Sequence, residues 1–472
     1  MIKEHLKKSF EKNLNHNPTN NQNFLFDELS EYISDFKPNR VFLLKGYAGT
    51  GKTSSISAVV KSLAELKIKS VLLAPTGRAA KVFSNFSSFQ AKTIHKKIYR
   101  QKSANDGFGV FVLDKNLHKD TWFIVDEASM ISNSSFENSV FGSGKLLDDL
   151  IEYVYTGVNC SLILVGDTAQ LPPVGLNISP ALDKFVLEEY DLDVMEIVLN
   201  EVVRQSAESG ILYNATLLRQ NLLDSFNEFK VPKLSVQFND FKRISGEDLI
   251  DEISSSYDKY GLNDVIIVNR SNKRANKYNE GIRRTVLYKE GKITVGDFLM
   301  IVKNNYFWAE ALEDMEFIAN GDIVEIIKIY EFHELYDFHF ADVRVKFVDY
   351  ENVEIDVKIL LDTLDIETAS LNQEDNKKLF YSVLDDYVDI KPKKKQFEKV
   401  KENKFFNALQ VKFAYAITCH KAQGGQWKVV FVDQGYINDD MINIEYYRWL
   451  YTAFTRPVEK LYLVNFANKY FE

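Results

Sequence analysis

Short apolar runs without polar alternation recur along the chain at residues 41–44 (VFLL), 69–74 (KSVLLA), 121–125 (TWFIV) and 161–165 (SLILV). Runs this short and unbroken predict strands buried on both faces, as in a parallel sheet covered by helices. Between them the apolar positions fall at helical spacing, in FLFDELSEYI after Pro18-Thr19 and in the run that follows Thr53. Four strand–helix units by about residue 180 predict one doubly wound α/β domain. Residues 1–20 read as a loose lead-in.

The same texture returns later, at 264–268, 411–417, 428–432 and 461–464, and predicts a second α/β domain. Between Gly291 and Phe405 the period drops to two, in VGDFLMIV, GDIVEIIKIY and VRVKFVDYENVEIDVKIL, which predicts an inserted β domain with a charged helical tail over 362–404. Residues 101–119 (QKSANDGFGVFVLDKNLHK) read as a small hairpin inserted in the first domain. The expected organisation is therefore 1–100 with 120–190, the hairpin 101–119, 191–290 with 406–472, and the β domain 291–405. No internal sequence repeat is visible.

Composition changes this picture little. A chain of 472 residues has room for about three domains, and 45% hydrophobic with 26% charged residues is ordinary for a soluble globular protein. The start, MIKEHLKKSFEKNLNHNPTNNQ, is polar, and no run approaches the ~18 apolar residues of a membrane span. Cys160 and Cys419 lie far apart with no C-x-x-C pair, so a reducing cytoplasm is expected and a cysteine metal site is not. The net charge of −9 argues against a surface coated in nucleic-acid affinity and confines any basic groove to an acidic body. Acidic residues crowd 362–389 and lysines crowd 391–404; the basic run reads as a solvated linker or helix face ahead of a DNA contact.

The chemistry sits at the ends of the predicted strands. The first run leads into Gly46-Tyr47-Ala48-Gly49-Thr50-Gly51-Lys52-Thr53, a G-x-x-x-x-G-K-T segment between strand and helix. There Gly46, Gly49 and Gly51 let successive N–H groups face one anion at the positive end of a helix. Lys52 would reach the β- and γ-phosphates, and the Thr53 hydroxyl would ligate Mg²⁺. The third run delivers Asp126-Glu127, placing Asp126 to hold Mg²⁺ and Glu127 to act as general base for water. After the fourth run, Gln170 is placed to sense a γ-phosphate, with Pro172-Pro173 fixing a rigid turn behind it. Arg204 and Arg456 are two candidates for a finger that neutralises transition-state charge. Pro75-Thr76-Gly77-Arg78-Ala79-Ala80, at the end of the second run, suits a phosphodiester backbone. Cys419 and His420 are neighbours, but neighbours on a strand point to opposite faces, so a thiol nucleophile is not expected.

GYAGTGKT, APTGRAA, TIH, VDEAS, GDTAQLPPV, VVRQ, ITCHKAQG and YTAFTR, in this order, resemble the ordered motifs of superfamily 1 helicases, and most closely the Dda, RecD-like and Pif-type group that moves 5′ to 3′. The resemblance runs from Gln22 to Arg456 and implies two RecA-like domains with ATP in the cleft between them and single-stranded DNA across their tops. By motif position, Gln22 resembles the adenine-reading glutamine, and Lys52, Thr53, Asp126, Glu127, Gln170, Arg204 and Arg456 resemble the ATPase set. Ala48, Thr50 and Gly424 join the implied ATP contacts. Thr76, Gly77, Arg78, Thr93, His95, Thr418, His420 and Lys421 resemble the strand-contacting set. The 101–119 hairpin falls where the family carries its strand-separating pin, with Phe108 at the expected tip, and 291–405 falls where it inserts an SH3-like domain. Gln426 departs from the acidic residue of many relatives, and the charged 362–404 stretch matches nothing in the family pattern.

The expectation is thus an ATP- and Mg²⁺-dependent DNA helicase serving replication, recombination or repair. Its expected partners are single-stranded DNA and forked or tailed duplexes, with no membrane, and it is expected to be a monomer. The alternative is an ATP-gated nucleic-acid clamp that does not unwind. The paired acids and the two arginines favour hydrolysis; only the pin argues for unwinding.

Overall fold

The computed structural model describes residues 2–102, 110–133, 142–202, 209–224, 229–311, 317–350 and 353–472. Its first strands are β1 (Arg40–Gly46), β2 (Lys69–Ala74), β3 (Ala91–Thr93), β4 (Tyr99–Lys102), β5 (Val110–Leu113), β6 (Thr121–Val125), β7 (Ser161–Gly166) and β8 (Asp193–Leu199). Six of them form a parallel sheet in the order β3-β2-β6-β7-β1-β8. Alternate residues of each central strand enter different cores, which is why the runs are apolar throughout. Val41, Leu43, Phe123, Val125, Leu162 and Leu164 face one side, and Phe42, Leu44, Ile124, Ile163 and Val165 face the other. β4 and β5 stand apart as an antiparallel pair, from Tyr99↔Leu113 to Lys102↔Val110.

The second domain contributes β9 (Phe241–Ile244) and β10 (Val265–Asn269) before the chain leaves it for a closed barrel. The barrel is β11 (Phe298–Ile301), β12 (Ile323–Leu335), β13 (Phe338–Phe347), β14 (Glu354–Leu360) and β15 (Leu409–Phe413), closed by β11 pairing with both β12 and β15. It fits the expected SH3-like domain. β16 (Ala416–Thr418), β17 (Trp427–Asp433) and β18 (Pro457–Val464) then complete a parallel sheet in the order β16-β10-β17-β18-β9. The charged stretch after the barrel strands forms the helices Gln373–Asp385 and Lys393–Glu402, whose Leu379, Val383 and Val400 pack on Phe338, Phe340 and Leu360.

Three expectations change. Residues 2–13 form a helix that buries Leu6 and Phe10 against the first domain, although only these two apolar positions, one turn apart, anchor it. β8 lies beyond the expected end of the first domain at 190, yet it pairs with β1 along its full length as the sheet's edge. The apolar run 411–417 is two strands: β15 closes the barrel and β16 returns to the second sheet. Among the described residues no helix is long and apolar enough to cross a membrane.

The barrel touches the first domain at a buried carboxylate. Asp322 accepts from the Ala319 N–H at 2.8 Å and faces Gly77, where an added Cβ would lie 2.9 Å from its Oδ1. Burial, and then the nearby Asp349, push its pKa up to about 7. The folded state therefore holds this proton more tightly than the unfolded chain, so stability falls as pH rises from about 4 to about 7 and levels off above. Asp322→Asn removes the charge and keeps an acceptor. Its unfolding free energy should exceed the parent's by a margin that grows from pH 5 to pH 8, of order 1–3 kcal/mol at the upper end, read by denaturant titration.

Candidate nucleotide cleft and strand groove

The loop after β1 turns through Gly49 (φ 77°) and Gly51 (φ 81°), both in the left-handed region where a side chain is strained. Gly51 caps the helix Lys52–Glu65 without any side-chain hydrogen bond, which leaves the first-turn N–H groups to an external acceptor. Thr50 Oγ1 and Lys52 Nζ both donate to the Tyr47 carbonyl, at 2.8 and 3.0 Å, and Lys52 Nζ lies 3.7 Å from Asp167 Oδ2. A Cβ on Gly46 would stand 2.8 Å from Lys52 Cγ, so the glycine gives the lysine its path across the loop.

β6 and β7 aim their chemistry at the same loop. Asp126 follows β6, and Glu127 adopts φ 54°, an uncommon conformation for a residue with a side chain. The Glu127 N–H donates to Asp126 Oδ1 at 2.9 Å. Burial, and then the Glu127 carboxylate, push the Asp126 pKa upward, as expected for two acids sharing one buried site. After β7, the buried Gln170 has no partner for its Oε1. Lys52, Thr53, Asp126, Glu127, Gln170 and Arg456 line one cleft of about 340 Å³. An uncapped helix start, a glycine cradle, an unsatisfied amide oxygen and two crowded carboxylates fit a nucleoside triphosphate with a divalent cation.

The remaining expected nucleotide contacts are held in different ways. Arg456 faces the cleft, but its guanidinium is held by its own domain, through the carbonyls of Thr452 and Gly425 and through Thr455 Oγ1. Gln22 is fully buried as the third residue of a capping box with Thr19, and its amide donates to Ser55 Oγ. His16, 3.2 Å from Gln22 Oε1, lines the cleft instead, as does the exposed Phe86; the sequence marks neither. Gly424 (φ 74°) packs on Ala79 and is not brought to the cleft lining. Arg204 lies outside the described residues.

The expected strand contacts stand at strand ends and helix starts of both domains. Thr76 caps the helix Gly77–Ser87 and Thr93 the helix Ile94–Ile98, so each hydroxyl already accepts a backbone N–H. Arg78 is tied to Asp349 of the barrel at 3.1 Å and to the Gln426 carbonyl at 3.1 Å, over the Trp427 ring. Burial lowers the His95 pKa to about 4, which leaves the ring a neutral imidazole at neutral pH. Thr418 ends β16, His420 is exposed, and Lys421 bonds Asn320 of the barrel segment. Phe108 lies outside the described residues, but Phe111 at the base of the β4–β5 hairpin packs on Tyr306 and Phe317 of the barrel segment.

Residues 35–226 match the family model described as an AAA domain, and residues 413–464 match that of the UvrD-like helicase C-terminal domain. The chain is 25% identical over 514 aligned positions to an uncharacterized protein of Acanthamoeba polyphaga mimivirus, covering 93% of this chain and 98% of that relative. It is 28% identical over 194 positions to the ATP-dependent RecD2 DNA helicase of Deinococcus radiodurans, covering 40% of this chain and only 23% of that protein. A solved Bacteroides Pif1 helicase, in complex with ADP-AlF3 and single-stranded DNA, has a TM-score of 0.48 at 15% identity over 97% of this chain and 95% of that one. Two parallel-sheet domains around one phosphate cleft, with these two family models, define an ATP-driven motor of the helicase class. By these two family models and the RecD2 relative, the chain is similar to superfamily 1 helicases of the Pif/RecD-like group.

Proposed function

We propose that this chain hydrolyses ATP with Mg²⁺ to move 5′ to 3′ along single-stranded DNA and to unwind duplex as a monomer, in replication, recombination or repair. The observation that carries the reading is the meeting of Lys52, Asp126, Glu127 and Gln170 with Arg456 of the other domain around one cleft. Bound Mg²⁺, held by Thr53 and Asp126, would neutralise phosphate oxygens. Lys52 would bind the β- and γ-phosphates, Glu127 take a proton from water, and Gln170 place that water. Arg456, with Arg204, would cover the charge that develops. Closure of the cleft would then alternate the grip of Thr76, Gly77, Arg78, Thr93 and His95 on one domain with that of Thr418, His420 and Lys421 on the other. In this reading the RecA-like domains are 1–100 with 120 to the end of β8, and 241–290 with β16 onward, the 101–119 hairpin is the pin with Phe108 at its tip, and the barrel segment is the SH3-like insertion.

Stopped-flow unwinding of two fluorescent partial duplexes tests this, one with a 5′ single-stranded tail and one with a 3′ tail. Unwinding of the 5′-tailed duplex alone is expected. Unwinding of only the 3′-tailed duplex would overturn the direction, and strand-stimulated hydrolysis without unwinding of either would make the protein an ATP-gated clamp.

A further inference from the structure

Tyr451 lies on the helix Ile444–Phe454 of the second domain, and its phenol is bonded to the first. It is almost completely buried. The hydroxyl donates to Asp167 Oδ2 at 2.8 Å and accepts from the Ala48 N–H at 2.8 Å. These partners stand at the ends of β7 and β1, on the two loops that frame the cleft. Burial raises the phenol's pKa well above its ordinary value, so it remains the proton donor of the pair.

Asp167 explains why that donor matters. The carboxylate is buried, and its Oδ1 accepts from the Ala169 N–H at 2.9 Å. Its Oδ2 has two neighbours: the phenol, and Lys52 Nζ at 3.7 Å. A buried carboxylate is costly unless hydrogen-bonded or paired, so whichever group serves Oδ2 relieves the other. The second domain fixes the loop beyond it as well. Thr452 Oγ1 accepts from the Leu171 N–H at 2.8 Å, and Gln423 Nε2 donates to the Leu171 carbonyl at 2.6 Å. Tyr451 is thereby held in register with Asp167, on the segment that also carries Arg456.

We propose that Tyr451 is a positioning residue for the nucleotide: by satisfying Asp167 from across the cleft, it releases Lys52 to the phosphates of ATP. The proposal rests on the reading of the Lys52 loop as an ATP site. Closing the second domain then does two things at once, since the movement that delivers Arg456 also frees the phosphate-binding lysine. Without the phenol, Asp167 draws Lys52 into an ion pair that ATP must break.

The test measures ATP-dependent phosphate release and equilibrium binding of a fluorescent ATP analogue, at saturating single-stranded oligonucleotide. The proteins are the parent, Tyr451→Phe, Asp167→Asn and the double variant. Tyr451→Phe is expected to raise KM and Kd about tenfold with kcat within about threefold, the size expected for losing one hydrogen bond to a charged group. In the Asp167→Asn background the same substitution should change KM by less than about twofold, because no carboxylate remains to recapture Lys52. Asp167→Asn alone should lower KM, which keeps the test open even where Tyr451→Phe fails to fold. An unchanged KM in Tyr451→Phe, a fall in kcat alone, or a tenfold rise that persists without the carboxylate would each overturn the proposal. A parent protein that neither binds nor hydrolyses ATP would instead remove the ATP reading on which it rests.

Discussion

Lys52→Ala is expected to lower ATP turnover by about 10³-fold while changing single-strand affinity by less than about threefold. Lys52 opens the helix Lys52–Glu65, and its path to the cleft is the space left by Gly46. In the proposed reading it is the cation of the phosphate loop, placed where charge would develop during transfer, and alanine would leave that position empty. The fold should tolerate the loss. The Tyr47 carbonyl keeps its bond from Thr50 Oγ1, and Asp167 keeps those from Tyr451 and the Ala169 N–H. The expected strand contacts, from Thr76 to Lys421, sit on other loops and none bonds to Lys52. Phosphate release and fluorescence anisotropy of a labelled oligonucleotide separate the two readouts. Turnover within about tenfold of the parent would show that the loop does not carry the reaction.

How far the sequence foretells this site depends on whether a feature is local. β1, β6 and β7 are central strands buried on both faces, so their runs are unbroken, and the chemistry hangs directly from their ends. That is why Lys52, Asp126, Glu127 and Gln170 could be named from spacing and are found around one cleft. β8 is an edge strand with Glu196 paired to Lys45, and its polar positions break the run. The boundary between β15 and β16 is hidden for the opposite reason, since both are buried and no polar residue marks where the chain changes sheets. Gln22 shows a further difficulty: the Thr19-to-Gln22 spacing suits a capping box as well as an adenine contact, and here the box uses the side chain. Tyr451 was legible only as one letter of a motif. Its bond to Ala48 spans 403 positions of chain, and no local pattern encodes such a pairing.

Glu127→Gln should separate binding from chemistry in a way that Lys52→Ala does not. Glutamine matches glutamate in shape and meets the same φ of 54°, so the backbone turn after β6 gains no strain. Removing one of two crowded acids also relieves Asp126, whose raised pKa owes its second-largest cause to Glu127. Asp126 would then ionise more readily and, in the proposed reading, hold a divalent cation at least as well. ATP affinity should therefore be equal to the parent's or tighter. In the proposed reading the chemical step would lose its general base, which typically contributes about 10²- to 10⁴-fold. Single-turnover hydrolysis beside equilibrium nucleotide binding measures both quantities. A slow variant that still binds ATP would be held with its cleft closed, and unwinding should fall in proportion to turnover because each step needs the cleft to reopen. If affinity fell in parallel with turnover, Glu127 would be holding the nucleotide or the loop rather than activating water, and the base would have to be sought among the other groups that line the cleft.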